Sequence, residues 1–300
     1  TFPLKICSFD IEASSSHGDF PVPIKSYKKL ATNMIEYLEK HTKGREINND
    51  VLKEMISKMV LSAFGYGTFT GIDLVYPKCN PKCEMDVVEM IENWLVSCVR
   101  ETISGDARDQ MTIEAMFENM NGDDDDAVSY PNKKGTRKHN TKNDKTVLEL
   151  ISDNSIDRNE KITELNISFN SVFPRLEGDK VTFIGSTFLR NGEKDPYLNH
   201  CIVLNTCGDT GVENSEIESY QKEKDVLLAW RELIQRENPD IIIGYNIFGF
   251  DYEFMFRRAE ETGCVSDFLK LSKNKDEVCG TYDSKTGRYK IEETSIHIAS

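Results

Sequence analysis

An α/β fold, a mixed sheet flanked by helices and interrupted by a mostly helical insertion, follows from three features of this 300-residue chain. Residues 1–12 (TFPLKICSFDIE) read as a short apolar strand that ends in two carboxylates. Strand-like segments at 181–189 (VTFIGSTFL) and 200–204 (HCIVL) come only after Pro174. Between these lie long stretches whose apolar residues recur at helical spacing.

Each element has its own signal. Residues 13–26 (ASSSHGDFPVPIKS) carry the Ser, Gly and Pro density of an ordered loop. Leu30, Met34, Ile35 and Leu38 predict a helix from Tyr27 to about Lys40, and Leu52, Met55, Ile56, Met59 and Val60 predict another over 48–64. Val87, Val88, Ile91, Trp94, Leu95 and Cys98 predict a third over 85–103. Asn191-Gly192-Glu193-Lys194 supplies turn chemistry for a hairpin between the strands at 181–189 and 200–204. Ile217, Tyr220, Val226, Leu227, Trp230, Leu233 and Ile234 predict one helix over 214–237, stopped by Asn238-Pro239. Residues 240–245 (DIIIGY) read as a buried strand, and 251–261 (DYEFMFRRAEE) as a helix closed by Gly263. The tail over 272–287 is loop-rich, and 288–300 is expected to hold a further strand.

Composition narrows the function classes. Hydrophobic residues at 38% can build a core, and 37 Lys plus Arg against 51 Asp plus Glu give a net charge of -14. That balance excludes a sequence-blind nucleic-acid coat, which needs a basic surface. It leaves room for an enzyme that handles a nucleic-acid end through metal ions, because such a site is itself built of carboxylates. The eight cysteines read as free thiols in a reducing, intracellular setting. Only Cys79 and Cys83 are close in sequence, and zinc would need two more ligands nearby. No stretch reaches the ~20 apolar residues of a membrane span. The chain starts at Thr1 inside a strand and without an initiator Met, so it is expected to be a piece of a longer protein. Between 121 and 145, GDDDD is followed by NKKGTRKHNTKNDK, adjacent charge blocks that read as a mobile loop. Lys133, Lys134, Arg137, Lys138, Lys142 and Lys145 there form either a DNA-contacting strip or simply a solvated surface.

Two segments carry chemistry. In Phe9-Asp10-Ile11-Glu12 strand alternation puts both carboxylates on one face and Ile11 on the other. Two such acids are either solvated at an exposed strand end or held together by a divalent cation. In residues 238–254 (NPDIIIGYNIFGFDYEF) a buried strand leads to Asn246, and Asp251 follows at the first turn of the next helix. Asp251 is either a helix-terminal cap or a third carboxylate at the C-terminal edge of the sheet, where open sheets place their sites.

Together these segments resemble the 3′→5′ proofreading exonuclease domain of family B DNA polymerases, in particular the delta-like enzymes of eukaryotes and large DNA viruses. FDIEA at 9–13 is similar to the family's first exonuclease motif, and NPDIIIGYN followed by Phe250-Asp251 to its second. GDFPVP at 18–23 and VTFIGSTF at 181–188 resemble the family's connection and second strand. The resemblance implies a ribonuclease H-like exonuclease domain over 1–30 and 175–300, with 31–174 as a helical insertion. It implies that Asp10 bridges two Mg²⁺ ions (with Mn²⁺ as the alternative), that Glu12 holds the ion activating the attacking water, and that Asp251 serves the second ion. Asn246 and Phe250 would position the 3′-terminal nucleotide of a frayed primer end. DNA is the implied partner, with a sliding clamp reached through the full-length protein, and the implied location is the nucleus or a viral replication site. Two features depart from the pattern. Phe254 stands where the second motif usually has Tyr, and Tyr289 with Glu293 has the spacing of the third motif but the wrong acid. Two rival functions are a free-standing carboxylate exonuclease and a non-catalytic exonuclease-like DNA-binding module.

Overall fold

The computed structural model of the chain describes residues 3–15, 18, 20–42, 48–97, 99, 145–208, 211–212, 214–273, 278–283 and 288–291. The charged stretch expected to be a mobile loop over 121–145 lies outside them except for Lys145. The chain forms two compact units, one made of Thr1–Ile24 and Gly178–Ser300, the other of Lys25–Glu177.

The first unit is built on a five-stranded mixed sheet of order β4-β3-β2-β1-β5. Strand β1 (Lys5–Ser14) buries Cys7, Phe9 and Ile11 and leaves Ser8, Asp10 and Glu12 exposed, the period-2 alternation expected of FDIE. It runs antiparallel to β2 (Lys180–Arg190) and parallel to the short β5 (Ile241–Ile243). Strand β3 (Leu198–Leu204) forms the expected antiparallel hairpin with β2. Gly192, in the connecting turn, has φ of 93°, a conformation few side chains tolerate.

One element differs from the sequence expectation. The helix expected over 214–237 is a strand, β4 (Ser215–Tyr220), followed by a helix, α6 (Glu223–Glu237). Strand β4 lies parallel to β3, with Cys201 opposite Ile217 and Leu204 opposite Tyr220. The free edge of β3 offers this segment a full ladder of backbone hydrogen bonds, which overrides weak helical periodicity. The alternation of Glu216 and Glu218 around Ile217 is the strand signal. Helix α6 ends at Asn238, whose left-handed φ of 46° closes it as the Asn-Pro pair predicts. Helix α7 (Asp251–Glu261) has its expected bounds and is followed by Gly263 at φ 69°. A one-turn helix, α8 (Val265–Phe268), follows, and β6 (Gly280–Asp283), within the stretch expected to be loop-rich, pairs antiparallel with β7 (Arg288–Ile291), within the stretch expected to hold a further strand. Tyr289 lies in β7, opposite Tyr282, and Glu293 falls outside the described residues. The core of this unit packs Cys7, Phe9 and Ile11 with Ile184, Phe188, Trp230 and Phe254. Trp230 satisfies its ring N–H on Ser186 Oγ at 3.2 Å.

The second unit is helical: α1 (Lys28–Thr42), α2 (Asn49–Ala63), α3 (Glu84–Val96), α4 (Val147–Ser152) and α5 (Arg158–Val172). Helix α3 is shorter than its apolar stripe suggests, because Ser97 turns extended. Side-chain caps start three of these helices: Asn48 accepts from Asp50 N, Thr146 from Glu149 N and Asp157 from Asn159 N. Residues 25–30, read from sequence with the N-terminal segment, pack here. Tyr27 is fully buried, stacks on Phe169 at 5.3 Å and donates to the Pro174 carbonyl at 2.6 Å. Trp94 stacks on Phe169 at 4.2 Å and donates to Ser168 Oγ at 2.9 Å. Cys79 and Cys83 are exposed free thiols, whereas Cys7 and Cys264 are buried, and burial pushes the Cys7 thiol up to about 12. Among the described residues no helix is long and apolar enough to cross a membrane.

Replacing Trp94 by Ala removes the largest member of the aromatic stack and leaves Ser168 without its donor. It should cost about 3–5 kcal/mol, read as the lowered midpoint of chemical denaturation. A loss under about 1 kcal/mol would contradict the packing described.

Candidate active site

The site begins where the sheet runs out of partners. Strand β5 pairs with β1 only as far as Ile243 opposite Ser8, so the β1 backbone beyond Ser8 lacks a strand on that side among the described residues. The Ile11 N–H is instead taken by carboxylates, Asp251 Oδ1 at 3.2 Å and Asp10 Oδ1 at 3.0 Å. An acid from the next helix thus replaces a strand neighbour, and Asp10 stands beside it.

The loop from β5 to α7 is shaped to deliver that acid. At Gly244 a Cβ would stand 2.8 Å from the Phe9 carbonyl oxygen and 2.3 Å from Ile247 Cγ2, so only glycine lets the chain pass this close to β1. Asn246 has a left-handed φ of 52°, which Asn tolerates better than most residues, and its carbonyl accepts the N–H groups of Gly249 and Phe250, each at 3.0 Å. Ile247, buried, accepts the Tyr252 N–H at 2.9 Å. These bonds turn the chain so that α7 starts with Asp251 facing β1.

Asp251 is 1% exposed. Of the two sequence readings, helix cap or third carboxylate, the bond across to β1 favours the second, although the acid also accepts its own backbone N–H. Burial, with the negative charge and hydrogen bonding of Asp10, pushes its carboxyl from 3.8 up to about 6, while the Ile11 N–H pulls it back. Asp10 is exposed.

Glu12 lies on the same exposed face of β1, roughly 6–7 Å along the strand from Asp10. The register with β2 shifts between Glu12 and Ala13, and Thr182 Oγ1 donates to the Glu12 carbonyl at 3.1 Å. The fold therefore brings Asp10 and Asp251 together and leaves Glu12 beside them in solvent. Among the described residues no three His, Cys, Asp or Glu side chains gather closely enough to hold a metal. The donor set fits a hard divalent cation: the donors are oxygens only, and Asp251 is a buried acid with no cation among the described groups that shift its carboxyl.

Around the acids is an aromatic group that the sequence reading only partly identified. Phe250 is half-buried between Phe20 and Phe254, with centroids 5.5 and 5.4 Å away. Phe20, in the loop after β1, is 56% exposed, and Tyr245, beside Asn246, is 95% exposed. Both lie in motifs, GDFPVP and NPDIIIGYN, that assign them no role. The density of aromatics in YNIFGFDYEF, and a lone Phe among Gly and Pro in GDFPVP, were the available signals.

Two acids from different elements thus meet at the Ile11 N–H, where the described strands leave an edge of the mixed sheet open, beside exposed rings. Residues 129–298 match the family model described as DNA polymerase family B, exonuclease domain. This is more than half of the chain, and the chain belongs to that family. Its five-stranded mixed sheet is consistent with the family's exonuclease fold, and exonuclease domains of this family are metal-dependent nucleases. A DNA polymerase of Phaeocystis pouchetii virus is 38% identical over 98% of this chain. One from Pyramimonas orientalis virus is 30% identical over 90% of it. The DNA polymerase delta catalytic subunit of Candida albicans is 37% identical over 32% of it. The chain spans 29%, 21% and 9% of the length of these three relatives.

The raised carboxyl of Asp251 sets a pH dependence. Its folded value of about 6 lies above the ordinary 3.8, so its cost to folding is absent below about pH 4, grows as pH rises and is complete above about pH 6. The difference corresponds to ~3 kcal/mol. Without metal, Asp251→Asn should therefore gain stability relative to the parent chain between pH 4 and pH 7.5, by up to that amount in urea titrations. A difference that does not vary with pH would contradict it.

Proposed function

We propose that the unit formed by Thr1–Ile24 and Gly178–Ser300 is the 3′→5′ proofreading exonuclease domain of a DNA-directed DNA polymerase that serves DNA replication, and that Lys25–Glu177 is a helical insertion in it. The observation that carries this reading is the meeting of Asp10 and Asp251 at the Ile11 N–H, at the end of a strand that also presents Glu12. The reaction is hydrolysis of the last phosphodiester of a primer. Water adds to phosphorus, the 3′ oxygen of the penultimate nucleotide leaves and takes a proton, and a nucleoside 5′-monophosphate is released. Polymerisation itself would belong to the longer protein.

Asp10, Glu12 and Asp251 would hold two divalent ions, Mg²⁺ or Mn²⁺. When bound, these ions supply the positive charge that neutralises the phosphate and favours hydroxide at neutral pH. The chain's own side chains do the rest. Asp251 is kept in place by the Ile11 N–H, and its carboxyl sheds its proton on passing above about pH 6 or when a cation arrives. Phe250, backed by Phe254 and edge-on to Phe20, offers a ring face to a base that has left the duplex, and Asn246 offers a polar side chain at the mouth of the same loop. A mispaired end costs less to unstack, which favours its removal over a paired one.

The partners would be a single-stranded primer 3′ end and, through the longer protein, a sliding clamp. The place of action would be inside the cell, in the nucleus or at a site of viral replication. In a protein extended to the length of its relatives, Asp10→Ala should lower release of label from a 3′-labelled single-stranded oligonucleotide with Mg²⁺ by at least about 100-fold, or ~2.7 kcal/mol in the barrier. Nucleotide addition should stay within about twofold. Loss of both activities, or of neither, would overturn the assignment.

A further inference from the structure

Outside Asp10, Glu12 and Asp251, the first unit buries an ion pair, Arg258 with Glu223, whose side chains are 1% and 3% exposed. Arg258 donates from Nε to Glu223 Oε1 at 2.9 Å, from Nη2 to Glu223 Oε2 at 2.7 Å, and from Nη1 to the Pro23 carbonyl at 2.9 Å. Glu223 Oε1 also accepts the Val181 N–H at 2.9 Å. One guanidinium thus ties together four segments: α7, the first turn of α6, the start of β2 and the 20–24 stretch. Gly178 is shaped around it, because a Cβ there would stand 1.9 Å from the Pro23 oxygen and 2.5 Å from Arg258 Nη1. Asp179 adds a second tie, accepting the Val22 N–H and donating its own N–H to the Val22 carbonyl, each at 2.9 Å.

Two of these segments carry the site and a third holds its neighbour: helix α7 starts with Asp251, the 20–24 stretch begins with Phe20, whose ring meets Phe250, and β2 is paired through Val181 and its neighbours with β1, which carries Asp10. Asp10 and Asp251 repel, so α7 and β1 are driven apart at the very place where they must meet. The apolar face of α7, with Phe254, Met255 and Ala259 buried, resists separation but sets no direction. A bidentate buried ion pair does set one, and a salt bridge that adds little net stability can still specify geometry.

We propose that Arg258, oriented by Glu223, is a positioning residue of the carboxylate site: it fixes α7 in register with β1 and with the 20–24 stretch, so that Asp251 and Phe250 meet Asp10 and Phe20. Its catalytic consequence rests on the exonuclease reading above, whereas the geometric one does not.

The test has two arms. In the first, backbone amide hydrogen exchange is followed by NMR in the metal-free chain. The Ile11 amide reports the place where Asp251 and Asp10 meet, and the Ile202 amide, in a strand paired on both sides, reports global opening. Arg258→Met should speed Ile11 exchange at least tenfold more than Ile202 exchange, with Arg258→Lys in between. Should the Met variant fail to fold, Glu223→Gln, which keeps an acceptor for Val181, is judged by the same criterion. Equal acceleration of both amides, or none, would reduce Arg258 to a general stabiliser and overturn the proposal. In the second arm, the extended protein carrying Arg258→Lys should need severalfold more Mg²⁺ for half-maximal release of a 3′-terminal label, with KM for the oligonucleotide nearly unchanged. Absence of nuclease activity in the unsubstituted extended protein would refute the exonuclease reading and leave the exchange result to decide the positioning role.

Discussion

The whole site depends on one backbone N–H. Because β5 stops opposite Ser8, the amide of Ile11 has no strand partner on that side among the described residues, and the carboxylates of Asp251 and of Asp10 accept it instead. That single choice brings an acid from α7 against β1, buries it and sets it beside Asp10. An unsatisfied buried amide costs about 1–3 kcal/mol, so the bond offsets part of the price of burying a carboxylate. It does not offset the repulsion between the acids, and the raised carboxyl of Asp251 expresses what is left. On the proposed reading, that remaining repulsion is what a bound cation would relieve.

Features that look unrelated serve this arrangement. Gly244 lets the loop brush past Phe9, and Asn246 takes the left-handed turn that reverses the chain towards α7. On the far side of α7, Arg258 and Glu223 hold the helix against charges that push it away. Asn246 therefore has a conformational duty independent of any substrate, which explains an asparagine at that position without invoking DNA.

Legibility in the sequence tracked how local each cause was. Alternation in FDIE is a property of four residues, so the shared face of Asp10 and Glu12 was readable directly. The bounds of α7 were readable because the loop before it and Gly263 after it are strong punctuation. The segment 215–220 misled, because Ile217 and Tyr220 continue the helical spacing of Val226 and Leu227, and only the edge of β3, 16 residues away in every registered pair, makes it a strand. Burial of Asp251 was out of reach, since it follows from the shortness of β5. So was the role of Arg258, because an arginine in RRAEE and a glutamate in a first helical turn both read as surface charges until the fold places them in contact.

The central claim, that Asp10 and Asp251 form the seat of a divalent cation, is tested most directly by anomalous diffraction at the manganese edge from crystals of the chain equilibrated with Mn²⁺. The account predicts an anomalous peak within coordination distance of both carboxylates, lost in an Asp251→Asn crystal. Manganese bound elsewhere, with no density between these two acids, would contradict it.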